Sequence, residues 1–421
     1  MAKVSEFQRV SVIGLGYIGL PTAAVIASRG IQVIGVDVSQ QAVDIINSGQ
    51  IHIVEPDLDI VVRGVVSTGN LRATLIPEPA DVFMIAVPTP FKEGAEGEEK
   101  APDLSYIQAA AKAIAPVLEK GNLVILESTS PVGATEQLAA WLKEERSDLS
   151  FPQEKGEIAD INVAYCPERV LPGYVLQELV SNDRIVGGMT PACAEKAVAL
   201  YSTFVRGDCL TTTARTAEMA KLTENAFRDV NIAFANELSI ICDKLKINVW
   251  ELIKLSNRHP RVNILNPGPG VGGHCIAVDP WFIVSSAPEH ARLIKTAREV
   301  NDSKPHYVVE RVRISAERFK APVIACLGLS FKADIDDLRE SPAVDIVKSL
   351  ADSSVGQLLV VEPNVDELPD SLEGKVAKAD LNEALSQADI VLLLVDHKVF
   401  KQISAERLHG CVIIDTRGVW G

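Results

Sequence analysis

One cysteine in this chain is placed where a cysteine can act as a nucleophile. The segment 266–280, NPGPGVGGHCIAVDP, sets Cys275 after a run of glycines and just before a helix start at Asp279 and Pro280. Glycines there let a substrate approach the backbone, because no Cβ stands in the way. A thiol reacts as thiolate, and a helix N-terminus or a nearby cation lowers its pKa. The alternative is a buried structural thiol, the common fate of a lone cysteine; the glycine-rich setting favours catalysis. Asp279 also has a structural reading, as the N-cap of a helix that begins at Pro280. His274 beside Cys275 raises the question of a metal, but no further ligands stand at zinc-like spacing, so none is expected.

A second constellation opens the chain. Gly14-Leu15-Gly16-Tyr17-Ile18-Gly19 follows an apolar run and begins a helical one. In such a fingerprint the first glycine permits a tight turn, the second lets a pyrophosphate near, and the third allows close helix–strand packing. The phosphates sit at the helix N-terminus, where free N–H groups and the dipole favour negative charge. Asp37 ends the next apolar run, where a carboxylate takes a ribose diol and repels a 2′-phosphate, so the expected cofactor is NAD. A nicotinamide site and a thiol nucleophile together suggest oxidation to the acid level. The second hydride must leave a carbon bonded to two heteroatoms, and a thiolate adduct supplies that carbon.

The elements that must position these groups are legible as patterns. Segments 10–13, 32–36, 82–87, 123–126 and 162–165 read as buried strands, alternating with amphipathic segments at 21–28, 104–118 and 134–144. Such alternation implies a parallel, doubly wound sheet. The acidic, Gly-rich segment 91–103 reads as a mobile surface loop. Residues 213–247 form one long helical pattern without Pro or Gly, which at about 35 residues would run some 50 Å. It reads as a spacer between domains and a dimer surface. On it Lys221, Asn225 and Arg228 share one face, a stripe that is either solvated or lines a cleft at the domain junction. From Pro322 the alternation returns, with strands at 323–327, 358–361, 390–395 and 412–414 and helices near 342–351 and 381–387. The glycine fingerprint is absent there, since Gly328 is followed by Leu-Ser-Phe-Lys, so this unit reads as a related fold with different binding chemistry.

Composition sets the outer limits. The 421 residues exceed one compact core, 47% are hydrophobic and 23% charged, and the net charge is −15. That balance argues against nucleic acid or an anionic membrane surface as partner. No secretory signal is visible and the apolar run 390–395 is too short to span a bilayer. Seven cysteines without a CxxC pair fit a reducing cytoplasm.

These residues resemble the UDP-glucose/GDP-mannose 6-dehydrogenase family of NAD-dependent nucleotide-sugar dehydrogenases. The resemblance runs over essentially the whole chain: GLGYIGLP at 14–21, VPTP at 87–90, STSPVG at 128–133, CPER at 166–169, AKLTENAFRDVNIAFANE at 220–237, GVGGHCIAVDP at 270–280 and FKADIDDLRESP at 331–342. HIVEPDL, AYCPERVLPG, NRHPRVNIL and the ending DTRGVW lie closest to the members that act on UDP-N-acetyl-D-mannosamine. The family implies two Rossmann-like α/β domains joined by a long central helix and a helical dimerisation region: an NAD-binding domain over 1–205, a central domain over 206–310 and a UDP-sugar-binding domain over 311–421. It implies a cytoplasmic homodimer that oxidises the sugar C6 alcohol to a carboxylate with two NAD, making an aminouronic acid donor for a cell-envelope polysaccharide of the enterobacterial common antigen type. UDP-N-acetylglucosamine or UDP-glucose is the alternative substrate. A non-catalytic NAD-binding regulator is opposed by the intact set Cys275, Lys221, Asn225 and Asp279.

By resemblance Cys275 adds to the C6 aldehyde, giving a thiohemiacetal and then a thioester. Lys221 serves as acid/base or stabilises the developing oxyanion, Asn225 and Asp279 orient water and the reacting oxygens, and Glu168 assists thioester hydrolysis. Gly14, Gly16, Tyr17, Ile18, Gly19, Asp37, Thr89, Thr135 and Arg339 fall in segments that face NAD. Arg169, Val170, Lys221, Asn225, Arg228, His259, Arg261, Gly272, Phe331, Lys332 and Arg417 fall in segments that face the UDP-sugar, with Arg261 reaching toward a partner subunit. Arg169 departs from the aromatic or aliphatic residue of the glucose enzymes, and an arginine there could contact an acetamido carbonyl that glucose lacks.

Overall fold

The computed structural model describes residues 7–92, 100–171, 173–273 and 275–420. The expected mobile loop therefore lies outside the described residues over 93–99, as does His274. The base of that loop is tied by a bridge between Phe91 and Pro102. The chain divides into two compact units, 1–223 and 224–421.

The first unit is a single sheet in the order β3-β2-β1-β4-β5-β6-β7-β8. Its strands are β1 Arg9–Ile13, β2 Gln32–Val36, β3 Leu71–Thr74, β4 Val82–Ile85, β5 Leu123–Leu126, β6 Asn162–Tyr165, β7 Arg184–Gly188 and β8 Cys209–Thr213. Every neighbouring pair is parallel except β6 and β7. β4 and β5 are buried along their whole length, as strands covered on both faces must be. Their side chains alternate between two cores. Val82, Met84, Leu123 and Ile125 face one, and Phe83, Ile85, Val124 and Leu126 face the other. The expected strands and helices are present with ends shifted by a residue or two. β3, β7 and β8 were not expected. β3 and β8 are sheet edges with polar, exposed positions, and β7 carries two glycines.

The second unit repeats the plan on a smaller scale. Its sheet runs β11-β10-β9-β12-β13, all parallel, with β9 Val323–Leu327, β10 Gln357–Val361, β11 Ala377–Lys378, β12 Ile390–Leu393 and β13 Val412–Asp415. Cys326, Val360 and Leu392 face one core while Leu327, Val361 and Leu393 face the other.

The long helix spans Ala214–Leu245, 32 residues, close to the expected 213–247; the division between the units falls within it. Past that division it exposes Phe227, Phe234, Ile241 and Leu245, whose spacing puts them on one stripe. A second long helix, Arg292–Ala316, contains Pro305. An interior proline removes a helical hydrogen bond at a cost of about 3 kcal/mol, which hides such a helix from a pattern reading. Among the described residues no helix is long and apolar enough to cross a membrane.

Candidate active site

The glycine fingerprint is built as its spacing demands. Gly14 turns the chain out of β1 with φ +91°, and a Cβ there would meet the Ala86 carbonyl oxygen at 2.8 Å. A Cβ on Gly19 would lie 1.8 Å from the Gly14 carbonyl oxygen, whereas one on Gly16 would meet nothing within 4 Å. Two glycines are thus required by the fold, and the third leaves open space beside the start of the helix Gly19–Ala27. Asp37 follows β2 and accepts from the Leu15 N–H at 2.9 Å and the Ser39 N–H at 2.9 Å. Tyr17 is exposed and Ile18 half-buried. The Thr89 hydroxyl oxygen is buried without a hydrogen-bond partner. An open cradle, a carboxylate at the end of β2 and an unsatisfied hydroxyl after β4 all fit a dinucleotide at the C-terminal edge of a parallel sheet. Thr135 is placed differently. It is fully buried, and its N–H and hydroxyl both donate to Glu218, at 2.8 and 2.6 Å, holding the start of the helix Ala134–Glu145.

In the second unit Cys275 is exposed. Its carbonyl accepts from the N–H groups of Val278 and Asp279 at 3.1 and 2.9 Å, so it lies one turn before the helix Asp279–Ser286. Asp279 is the first residue of the helix and Val278 is its N-cap, one place earlier than expected. Its buried carboxylate instead accepts from the Asn225 amide at 2.6 Å, a bond that fixes Asn225 on the long helix. Lys221, half-buried, precedes Asn225 by one turn of that helix.

The glycines before Cys275 answer to packing. A Cβ on Gly272 would stand 2.3 Å from the Glu340 carbonyl oxygen and 2.6 Å from Pro342, and one on Gly273 3.1 Å from the Phe331 ring. Their lack of a side chain admits the segment 331–342 of the same unit, where the sequence pattern suggested room for substrate approach. Phe331 is half-buried there, Lys332 is exposed, and exposed Arg339 pairs with Asp337 at 2.7 Å. Arg417 lies against Gly268, where a Cβ would come within 2.8 Å of its guanidinium, and pairs with Asp396 at 3.2 Å. Arg228, His259 and Arg261 are exposed, and the Arg261 N–H donates to the His259 Nδ1 at 3.3 Å.

Past the C-terminal end of β6 in the first unit, Glu168 is buried and bound to Arg184 at 2.6 Å. Its second oxygen accepts from the Arg169 N–H at 2.6 Å. The Arg169 guanidinium donates to the Asp183 carbonyl at 3.3 Å, and Val170 packs against the core.

Sequence profiles of the UDP-glucose/GDP-mannose dehydrogenase family match the chain in three blocks: its NAD-binding domain at 8–205, its central domain at 215–303 and its UDP-binding domain at 325–421. The chain belongs to that family. It is an NAD-dependent dehydrogenase, and NAD is its cofactor. It is 68% identical over 415 residues, 99% of this chain and 97% of the relative, to the NDP-N-acetyl-D-galactosaminuronic acid dehydrogenase of Ralstonia solanacearum. It is 64% identical over 407 residues, 96% of this chain and 99% of the relative, to the UDP-N-acetyl-D-mannosamine dehydrogenase of Campylobacter jejuni. Among solved structures it is similar to the UDP-N-acetyl-mannosamine dehydrogenase Cap5O of Staphylococcus aureus, with TM-score 0.85 and 45% identity over 98% of this chain and 95% of that one.

Two supports of this dehydrogenase are not visible in the sequence pattern. Arg184, Glu127 and Tyr201 are isolated in sequence and meet only in the fold. The second support is a buried relay in the unit that carries Cys275. Arg298 and Asn301 bind Asp229 at 2.5 and 2.8 Å, Asn236 donates to Asn301 at 2.9 Å, and Asn236 accepts from the Gly268 N–H at 2.9 Å. Burial raises the Asp229 pKa against the pull of Arg298. Asp229 and Asn236 stand seven apart on the long helix, a spacing that puts them on one face but does not by itself mark them as partners.

Proposed function

We propose that this chain oxidises UDP-N-acetyl-D-mannosamine at C6 to the corresponding uronate in two two-electron steps, through a covalent intermediate on Cys275. The observation that carries the reading is Cys275 itself, exposed one turn before a helix start whose first residue, Asp279, holds Asn225. An enzyme that stopped at the aldehyde would need no nucleophile. Bound NAD supplies a hydride acceptor for each oxidation; Gly16, Asp37 and Thr89 would hold it, with Tyr17, Ile18 and Arg339 in the segments assigned to it.

The chain's own groups supply the rest. Lys221 serves the proton of the C6 hydroxyl and the oxyanion that develops on it. The Cys275 thiolate adds to the aldehyde carbon, forming a C–S bond and a thiohemiacetal. After the second oxidation the product is a thioester. Water adds to it, the C–S bond breaks, the thiolate leaves and the sugar departs as a carboxylate. Asn225 and Asp279 orient the reacting oxygens, and Glu168 assists the attacking water. Arg228, His259, Arg261, Gly272, Phe331, Lys332 and Arg417 form the UDP-sugar segments, with Arg169 and Val170 toward the acetamido side. The exposed stripe Phe227, Phe234, Ile241 and Leu245 supports a homodimer. The product would serve as an aminouronic acid donor for a cell-envelope polysaccharide, made in the cytoplasm.

A second reading, in which the sugar has the galacto configuration, is favoured by the 68% identity to the Ralstonia relative. Both are tested by counting NADH per nucleotide sugar for UDP-N-acetylmannosamine, UDP-N-acetylgalactosamine, UDP-N-acetylglucosamine and UDP-glucose. The mannosamine substrate should give two NADH and the highest kcat/KM; a higher value for the galactosamine substrate selects the second reading. Cys275→Ser should lower acid formation by about a thousandfold or more while NAD binding persists. Normal acid formation by that variant would refute the covalent route.

A further inference from the structure

The first unit carries a buried ionic cluster of which the steps above use only Glu168. Glu127 directly follows β5, and Cys166 and Glu168 follow β6, at the C-terminal edge where parallel α/β sheets bind ligands. β7 runs antiparallel to β6, with Ala164 opposite Gly188 and Tyr165 opposite Gly187. Carried on along both strands, that register sets Glu168 opposite Arg184, the first residue of β7. The helix Pro191–Tyr201 places its last side chain beside them. None of the five side chains is more than 7% exposed.

The contacts are specific. Arg184 Nη1 binds the Glu168 Oε2 at 2.6 Å, and its Nη2 donates to the Leu179 carbonyl at 3.3 Å. Its guanidinium carbon lies 5.4 Å from the Tyr201 ring centroid. The Tyr201 hydroxyl donates to Glu127 Oε1 at 2.7 Å, and Glu127 Oε2 is buried with no hydrogen-bond partner. One guanidinium thus faces two carboxyl groups away from water. Burial, and then the charge of Glu168, push the Glu127 carboxyl up to about 7, against Arg184 and Tyr201. Glu127 can therefore hold a proton near neutrality, which leaves the Arg184 charge to Glu168. The same burial pushes the Cys166 thiol up to about 12, so it remains a thiol.

We propose that Arg184 is the positioning residue of Glu168, from a frame completed by Tyr201 and Glu127. The proposal rests on the reading in which Glu168 assists hydrolysis of the thioester on Cys275. Stability alone is a poor reason for this cluster, because a buried ion pair returns little more than its desolvation costs. An orphan carboxylate oxygen adds to that cost. What the arrangement does supply is a carboxylate whose Oε2 is fixed by Arg184 and whose Oε1 is fixed by the next peptide N–H. Each oxygen retains a lone pair for a water.

The test separates the hydrolytic half of the reaction from the oxidative half. Arg184→Lys keeps the charge and loses the planar fork. It should lower kcat roughly tenfold or more with KM for NAD and UDP-N-acetylmannosamine within about twofold. Acid-quenched protein should then carry more sugar-nucleotide acyl adduct on Cys275 than the wild type, by intact mass. Glu168→Gln should do the same, and the double variant should be no slower than Glu168→Gln alone, since one residue acts through the other. If Arg184→Lys does not fold, Tyr201→Phe keeps the ring under the guanidinium and removes its bond to Glu127. A loss of about threefold or more confined to hydrolysis would then support the proposal. An additive double variant, a raised KM with unchanged kcat, or a Tyr201→Phe equal to wild type in both halves would overturn it. If Glu168→Gln accumulates adduct and Arg184→Lys does not, the clamp fails and the reaction stands. Fewer than two NADH per sugar from the wild type would sink the reaction itself, and the proposal with it.

Discussion

The two sheets begin with the same turn and end with different uses of it. In the first unit Gly14 leaves β1 with φ +91° and donates to the Val36 carbonyl at 2.8 Å. In the second Gly328 leaves β9 with φ +94° and donates to the Val361 carbonyl at 2.9 Å. Leu15 and Leu329 follow, both fully buried, and each donates its N–H to the acid after the second strand, Asp37 at 2.9 Å and Glu362 at 2.7 Å.

There the likeness stops. Past Gly16 the first helix begins at once, at Gly19, with open space beside Gly16. Past Ser330 the chain makes an excursion, and the helix begins only at Pro342. Glu362 is buried, takes a second N–H from Ser330 at 3.1 Å, and meets His397 Nε2 at 3.1 Å. His397 Nδ1 accepts from the Asp334 N–H at 2.9 Å, which leaves the Nε2 proton for Glu362. A Rossmann turn is therefore no dinucleotide site by itself. The acid must be left uncovered, and the helix must start at once.

Substitutions at matched positions should separate the two turns. The largest effect is expected from Gly328→Ala, whose Cβ would stand 2.4 Å from the Val395 Cβ at a positive φ. It should destabilise the second unit by roughly 4 kcal/mol or more, read by denaturant unfolding. Gly16→Ala, with nothing in its way, should leave the unfolding midpoint unchanged and weaken NAD about tenfold. A stability loss there would mean that the turn is packed rather than open.

The pH dependence of stability should run in opposite senses in the two units. Glu127 has a raised pKa of about 7, so the folded chain holds a proton that the unfolded chain gives up above about 4.5. Its contribution is intact below 4.5 and is lost as pH rises to 7. Relative to wild type, Glu127→Gln should gain on the order of 3 kcal/mol between pH 4.5 and 8. Glu362 has a lowered pKa, because bonds from His397, Leu329 and Asn364 outweigh its burial. Its contribution is present above 4.5 and lost as pH falls through the lowered value. Glu362→Gln should thus cost stability at pH 7 and progressively less in acid, measured by urea unfolding across pH. Parallel profiles for the two variants would contradict the comparison.

Smaller effects follow at the partners of these acids. His397→Phe should cost about 2 kcal/mol by leaving Glu362 short of a partner, and NAD affinity should not change. Asp37→Asn should cost about 1 kcal/mol and favour NADP relative to NAD in initial rates. Unchanged cofactor preference would place the ribose elsewhere. Smallest of all, Arg169→Leu should lower kcat/KM for UDP-N-acetylmannosamine about fivefold more than for UDP-glucose. An equal loss would assign the Arg169 side chain to folding or to orienting Glu168 instead.

Much of this was legible where one residue type answers one local demand. Gly14 is required by its positive φ and by the Ala86 carbonyl beside it, Gly19 by the Gly14 carbonyl, and Asp37 by the strand it ends. β4 and β5 are continuous apolar runs because both faces are covered. What stayed hidden depends on chain reversal or on packing between distant segments. Arg184 looks like a surface arginine in NDRIVGG, and only the antiparallel β7 brings it opposite Glu168. The glycines at 270–273 invite a substrate reading, yet Phe331, Glu340 and Pro342 fill the space that their missing Cβ atoms leave. Asp279 reads as a cap from its place before Pro280, but its partner, Asn225, lies 54 residues away.

The division of labour between the two turns is tested most directly by equilibrium titration of NAD into the purified chain. One NAD should bind per chain, about tenfold more weakly in Gly16→Ala and with unchanged affinity in His397→Phe. Two NAD per chain, or affinity that falls with His397→Phe and survives Gly16→Ala, would contradict that division.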